Sequence, residues 1–212
     1  MKKIAVILNG VAPKGLALSS LVNQKYDLYL AADGGYKFCV KNDIKPDYLV
    51  GDFDSSSKRN IPNNVKVIQF SADKDATDGQ LVADIAIEQE ADSVDIYGGG
   101  GKRTDHLLGN LNILYRLLKS NIAVKMINNN EVIYMIKDAL DLPQAIDKSI
   151  LSLIPFTDKA VVSIKGVKYP LANQKLLKDN TLGISNRAEG KVSIRVSSGY
   201  ILVIVNSLKH LF

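Results

Sequence analysis

A chain of 212 residues, 46% hydrophobic and 23% charged, can form one large domain or two small ones with a substantial core, and this composition excludes wholesale disorder. Its one cysteine, Cys39, excludes an intrachain disulfide and fits a reducing compartment. The net charge of +5 equals the excess in the C-terminal third, where ten Lys/Arg stand against five Asp/Glu from residue 139 to 212. No basic run is interleaved with aromatics, so the charge reads as a mildly basic surface and not as a nucleic-acid interface.

The N-terminal "MKKIAVILNG" is continuously apolar only over Ile4–Leu8. That is too short for a secretion signal core and far below the ~20 residues of a membrane span. It reads as a first strand, and no other segment is long enough to span a membrane, which implies a soluble, cytoplasmic protein. Further on, "DLYLAAD", "DYLVGD", "VKVIQF", "VDIYGG" and "AVKMIN" are short runs rich in Val, Ile and Tyr. Near-continuous apolar runs of this kind suit strands covered on both faces.

Two helices are marked between these strands. Thr77-Asp78-Gly79-Gln80 fits a capping box, with Thr77 as N-cap. Leu81, Ile85 and Glu88 share a face there, with Val82, Ala86 and Gln89 beside it. The second helix starts at Thr104 and places Leu107, Leu111, Leu114 and Leu118 on one face. Gly109 inside it suggests close packing against a neighbour. Alternating strands and helices predict a mostly parallel α/β sheet with helices on both sides.

The pattern changes after about Lys137. "SILSLIPF", "AVVSIKGV", "KVSIRV" and "YILVIVN" read as strands with no convincing helix between them. "KVSIRVSSGYILVIVN" reads as a hairpin turning at Ser197-Ser198-Gly199. This half is expected to be a small antiparallel sandwich or barrel. The two domains are drawn as 1–135 and 140–212.

In a parallel α/β sheet, ligands bind outside the carboxyl ends of the strands. Acidic residues gather there: Asp33 before Gly34-Gly35, Asp52 and Asp54 after "DYLVG", Asp73, Asp75 and Asp78 after "VKVIQFS", and Asp105 after "VDIYGGGGKRT". If the segment stays extended, Asp52 and Asp54 point the same way. Two hard carboxylates on one face suit Mg²⁺, although the same pair also suits an Asx turn. "GGGGKRTDH" supplies close-approach glycines, the positive Lys102 and Arg103, and a helix start. Together these make a phosphate cradle a better reading than a bare flexible loop. His106 lies in the first turn of that helix, within reach of a phosphate or of Asp105. No Ser/His/Asp or Cys/His arrangement supports acyl transfer. Alternatives at this point are a nucleotide-sugar transferase using the Asp-x-Asp pair, or a non-catalytic module that senses a phosphorylated ligand.

Asp33-Gly34-Gly35, "PDYLVGDFDS", "DKDATD", "GGGGKRTDHLLGNL", "GVKYPL" and "TLGISN" follow one another across residues 30–205. This ordered set resembles the thiamine pyrophosphokinase family. The resemblance implies a Rossmann-like ATP-binding domain and a β-sandwich thiamine-binding domain. It implies transfer of pyrophosphate from ATP to thiamine with Mg²⁺, in a homodimer whose active sites lie between subunits. Matched by position, Asp33, Asp52, Asp54 and Asp78 resemble the acidic catalytic set, with Asp52 and Asp54 as metal ligands. Asp33, Gly34, Thr77, Asp78, Lys102, Arg103, Asp105 and His106 resemble the ATP contacts, and Ser185 and Asn186 the thiamine contacts. Two positions depart from relatives: Lys74 stands where some carry Gln, and the chain has no Trp to stack on thiamine.

Overall fold

The computed structural model describes residues 1–51, 61–63, 65–69, 76–144 and 147–209, the side chain of Asp33 excepted. The chain divides into two compact units, Met1–Asn128 and Asn129–Phe212. The first contains strands β1 (Lys3–Ile7), β2 (Leu28–Ala32), β3 (Tyr48–Gly51), β4 (Lys66–Gln69), β5 (Ser93–Tyr97) and β6 (Ala123–Ile127). Helices α1 (Gly15–Asn23), α2 (Asp33–Lys41), α3 (Asp78–Glu88) and α4 (Thr104–Lys119) alternate with them. All six expected strands of this half are present.

They run parallel in the order β6-β5-β1-β2-β3-β4. From β1 the chain proceeds outward through β2, β3 and β4, then returns to the other side of β1 with β5. The strand order therefore reverses between β1 and β5. Ile4, Ala5, Val6 and Ile7 are all buried, as are Leu30, Ala31, Val94 and Ile96. Each fully buried Val, Leu or Ile side chain among them contributes roughly 1.5–3 kcal/mol.

Helix α3 begins as the capping box implies: Thr77 Oγ1 accepts from the Gln80 backbone N–H at 3.3 Å. Its buried face is Val82, Ala83, Ile85 and Ala86, rotated from the Leu81–Glu88 stripe expected. In α4 the buried residues are Ile113, Leu114, Leu117 and Leu118. Gly109 is exposed, and a Cβ there would meet nothing within 4 Å among the described residues, which do not supply the close packing expected at this glycine. Helices α1 and α2 were not marked by sequence pattern.

A polar cluster ties the sheet to the segment after α1. Asp95, in the middle of β5, is 3% exposed. It accepts from Tyr26 Oη at 2.7 Å and pairs with Lys3 Nζ at 3.1 Å and Lys125 Nζ at 3.8 Å. Tyr26 in turn meets Tyr97 Oη at 2.7 Å, and Tyr97 meets Ser20 Oγ at 3.0 Å. Burial raises the Tyr26 phenol pKa and lowers that of Lys125, the neighbouring Asp95 raising both.

The second unit consists of β7 (Val132–Ile136), β8 (Ala139–Leu142), β9 (Ile150–Pro155), β10 (Lys159–Val167), β11 (Leu171–Leu177), β12 (Asn186–Ser198) and β13 (Ile201–Val205). Every pairing among them is antiparallel. In β10, Ala160, Val162, Ile164 and Val167 are buried, an alternation broken beside Gly166, where the pairing with β12 shifts register. They join Leu151, Leu153, Val192, Ile194, Ile201 and Val203 in one core. The hairpin expected at Ser197-Ser198-Gly199 does not form. Strand β12 pairs with β10, β8 and the start of β9, whereas β13 pairs with β7 and β9. Gly199, at φ +83°, turns the chain from one set of partners to the other.

Candidate functional site

The reversal of strand order between β1 and β5 marks where an open α/β sheet binds its ligand. A cavity of about 290 Å³ lies there. Its walls come from Leu8–Gly10 after β1, Ala32 and Gly34 after β2, Thr77–Gly79 opening α3, and Gly98–Gly100 with Lys102 and Arg103 after β5. His106 and Asn110 of α4 complete the lining. The size accommodates part of a nucleotide.

The two loops at the switch point are fastened together. Leu8 N–H donates to Tyr97 O at 2.9 Å, Gly10 N–H to Gly98 O at 2.7 Å and Val11 N–H to Gly100 O at 2.9 Å. The third carbonyl, Gly99 O, accepts from Asn110 Nδ2 at 2.6 Å. Gly98, Gly99 and Gly100 are buried. Among the described residues, no protein acceptor takes the N–H groups of Gly99 or Gly100. Buried N–H groups are almost always paired, so two unpaired donors in a cavity wall point to an anionic ligand. The glycines are needed sterically as well: a Cβ at Gly98 would clash with Leu8 O, and one at Gly34 with the Asn9 side chain.

Charge is organised around the same loop. Arg103 is the N-cap of α4 and makes a bidentate pair with Asp105, Nε to Oδ1 at 3.0 Å and Nη2 to Oδ2 at 2.5 Å. Asp105 Oδ1 also accepts from His106 N–H at 2.9 Å. The hydrogen bonds from Arg103 hold the Asp105 carboxyl down at about 2 and push the guanidinium pKa up. Two of the five Arg103 N–H bonds are thereby used, which leaves three for a phosphate. Lys102 Nζ donates to Asn9 O at 3.0 Å and Asn9 Oδ1 at 3.4 Å, latching the glycine loop to the β1 loop.

Of the residues singled out in the nucleotide half, Gly34, Thr77, Asp78, Lys102, Arg103 and His106 line one cavity. Asp105 stands beside them through Arg103. Asp33 is the first residue of α2, which begins at the end of β2. Asp52, Asp54, Asp73 and Asp75 lie outside the described residues. Among the described residues, no group of three His, Cys, Asp or Glu side chains could hold a metal ion.

In the C-terminal unit, Ser185 has a left-handed backbone at φ +61°, and its N–H donates to Ser152 Oγ at 3.1 Å. The Asn186 side chain clips the turn before β11. Its Nδ2 donates to Tyr169 O at 2.7 Å, and its Oδ1 accepts from Tyr169 N–H at 3.1 Å. Tyr169 itself is 60% exposed. Sequence reasoning missed Asn9 and assigned no role to Asn110. The available signals were an Asn-Gly directly after the first strand and an amide inside a helix, where Asn is disfavoured without a task.

The geometry agrees with comparisons to known proteins. Residues 19–126 match the family described as thiamin pyrophosphokinase, catalytic domain, and residues 138–201 its vitamin B1 binding domain. Thiamine pyrophosphokinase of Bacillus subtilis is 34% identical over 194 residues, covering 88% of this chain and 89% of that protein. Thiamine pyrophosphokinase 2 of Arabidopsis thaliana is 27% identical, covering 96% and 85%. A crystal structure of the Bacillus subtilis enzyme superposes with a TM-score of 0.85 at 30% identity, covering 97% of this chain and 99% of that one. The Candida albicans enzyme shares the fold at 19% identity, with a TM-score of 0.78 and coverage of 97% and 89%. The chain belongs to the thiamin pyrophosphokinase family.

Proposed function

We propose that this chain binds ATP at the β1–β5 switch point, with its phosphates on the loop from Gly98 to Arg103. The reaction is that of the family: the pyrophosphate of ATP passes to the thiamine hydroxyl, giving thiamine diphosphate and AMP. The observation that carries the placement is the pair of buried N–H groups at Gly99 and Gly100, beside Arg103, that have no acceptor among the described residues. Phosphate transfer is catalysed mainly by positioning and charge neutralisation, and this loop offers both.

Asp52 and Asp54 are hard oxygen donors of the kind Mg²⁺ prefers, and we assign them as its ligands. Bound there, Mg²⁺ would offset charge on the phosphate oxygens. Asp33 and Asp78 complete the acidic set, and one of them orients or deprotonates the thiamine hydroxyl. Asp78 opens α3 in the cavity wall. Ser185 and Asn186 are assigned to thiamine. The cationic thiazolium ring favours an acidic site. The N-terminal unit is taken as Rossmann-like with helices on both faces, nominally 1–135, and the C-terminal unit, 140–212, as a β-sandwich. The chain is expected to act in the cytoplasm as a homodimer with its sites between subunits. No described helix is long and apolar enough to cross a membrane.

Incubation with ATP, Mg²⁺ and thiamine is expected to yield AMP and thiamine diphosphate in equal amounts. ADP with thiamine monophosphate, or no product, would contradict the reading. Chelation of Mg²⁺, or Asp54→Asn, is expected to lower kcat by orders of magnitude while the melting temperature holds.

A further inference from the structure

We infer that Asn110 is a positioning residue: its side-chain amide fixes the Gly99–Gly100 peptide so that the loop offers donors, and not a carbonyl, to the phosphates of ATP. This rests on the phosphate reading of that loop.

A phosphate cradle needs N–H groups turned toward the ligand and carbonyls turned away, because a carbonyl oxygen repels an anion. A run of glycines does not enforce this by itself. With no Cβ, the peptide between two glycines rotates with little steric resistance. Each of the three carbonyls in this loop is held by the protein. Gly98 O and Gly100 O are held by the backbone N–H groups of Gly10 and Val11. Gly99 O is held by Asn110 Nδ2 at 2.6 Å, the one side chain among the described residues with this task. The peptide is trans, so anchoring Gly99 O on α4 turns the Gly100 N–H the opposite way. That N–H is one of the two buried donors that find no acceptor among the described residues.

Asn110 is suitably placed for this. It lies in the second turn of α4, half-buried in the cavity wall. Its Oδ1 would be 3.4 Å from a Cβ at Gly79, in the first turn of α3. The residue thus sits between the glycine loop and α3, and a shorter or apolar side chain there cannot donate to Gly99 O. Its effect passes through the loop, so it should alter the binding of phosphates and leave the rest of the nucleotide and thiamine alone.

The test compares wild type with Asn110→Leu, Asn110→Ser and Asn110→Gln in the full-length protein. Affinities are measured by calorimetry for adenosine and for α,β-methylene-ATP with Mg²⁺. Loss of this half-buried hydrogen bond to the loop is expected to weaken α,β-methylene-ATP by about tenfold or more in the Leu and Ser variants and adenosine by less than about twofold. The KM for thiamine is expected to stay fixed while kcat/KM for ATP falls, and Gln is expected to recover part of the loss. Equal weakening of both ligands, or no weakening of α,β-methylene-ATP in a folded Ser variant, overturns the inference. A wild-type protein that binds adenosine as tightly as α,β-methylene-ATP overturns the phosphate reading of the loop itself.

Discussion

Asp105 places a negative charge two residues beyond Arg103, in a region proposed to receive phosphates, and its partner explains how this is tolerated. The bidentate pair neutralises the carboxylate and fixes the plane of the guanidinium. The Asp105 pKa is lowered from 3.8 to about 2, so the ionised form is the favoured one. What the pair adds to stability is fully present above 3.8 and is lost as pH falls toward 2. Arg103→Ala should therefore raise the Asp105 pKa back toward 3.8, as read by NMR titration of its carboxyl carbon, and raise the KM for ATP. A titration left at about 2 would mean that Arg103 is not the cause. At this scale the charged and glycine residues of the nucleotide half were legible from sequence, because type and order combine into a motif. Asn9 and Asn110 were not, since one amide carries no pattern until its partners, Lys102 Nζ and Gly99 O, are known.

Among the elements, β1, β2 and β3 read as apolar runs because most of their length is buried, whereas the edge strand β4 (Lys66–Gln69) is mostly exposed and keeps only its short Val67–Ile68 apolar centre. Helices α1 and α2 carried no such signal. Lys14, the N-cap of α1, makes no side-chain cap, and there is no acid in its first turn. Helix α2 opens with Asp-Gly-Gly, a poor helix start by propensity. The glycines are imposed by contact, since a Cβ at either would clash with Asn9 or with Ile7 O. In the C-terminal unit, β11 was missed because "LANQKLL" is a polar edge strand paired with β10. The hairpin at Gly199 was misread because a tight turn specifies reversal of direction and not which strands then pair. Asp95→Ala leaves Lys3 and Lys125 without their shared carboxylate and should cost about 3–5 kcal/mol in denaturant unfolding. A change within experimental error would show that the lysines find solvent instead.

For the molecule as a whole, the change of pattern expected after Lys137 falls inside the second unit, which begins at Asn129 and already contains β7 (Val132–Ile136). Asp52 and Asp54 lie outside the described residues, so their proposed role as Mg²⁺ ligands rests on their spacing and on the order of motifs around them in the sequence. The phosphates of ATP are proposed to lie on the loop between β5 and α4. A crystal structure with α,β-methylene-ATP, Mg²⁺ and thiamine tests this placement most directly. Phosphate oxygens are expected within hydrogen-bond distance of the Gly99 or Gly100 N–H and of the Arg103 guanidinium. Phosphates bound elsewhere, with those N–H groups facing only water, would contradict it.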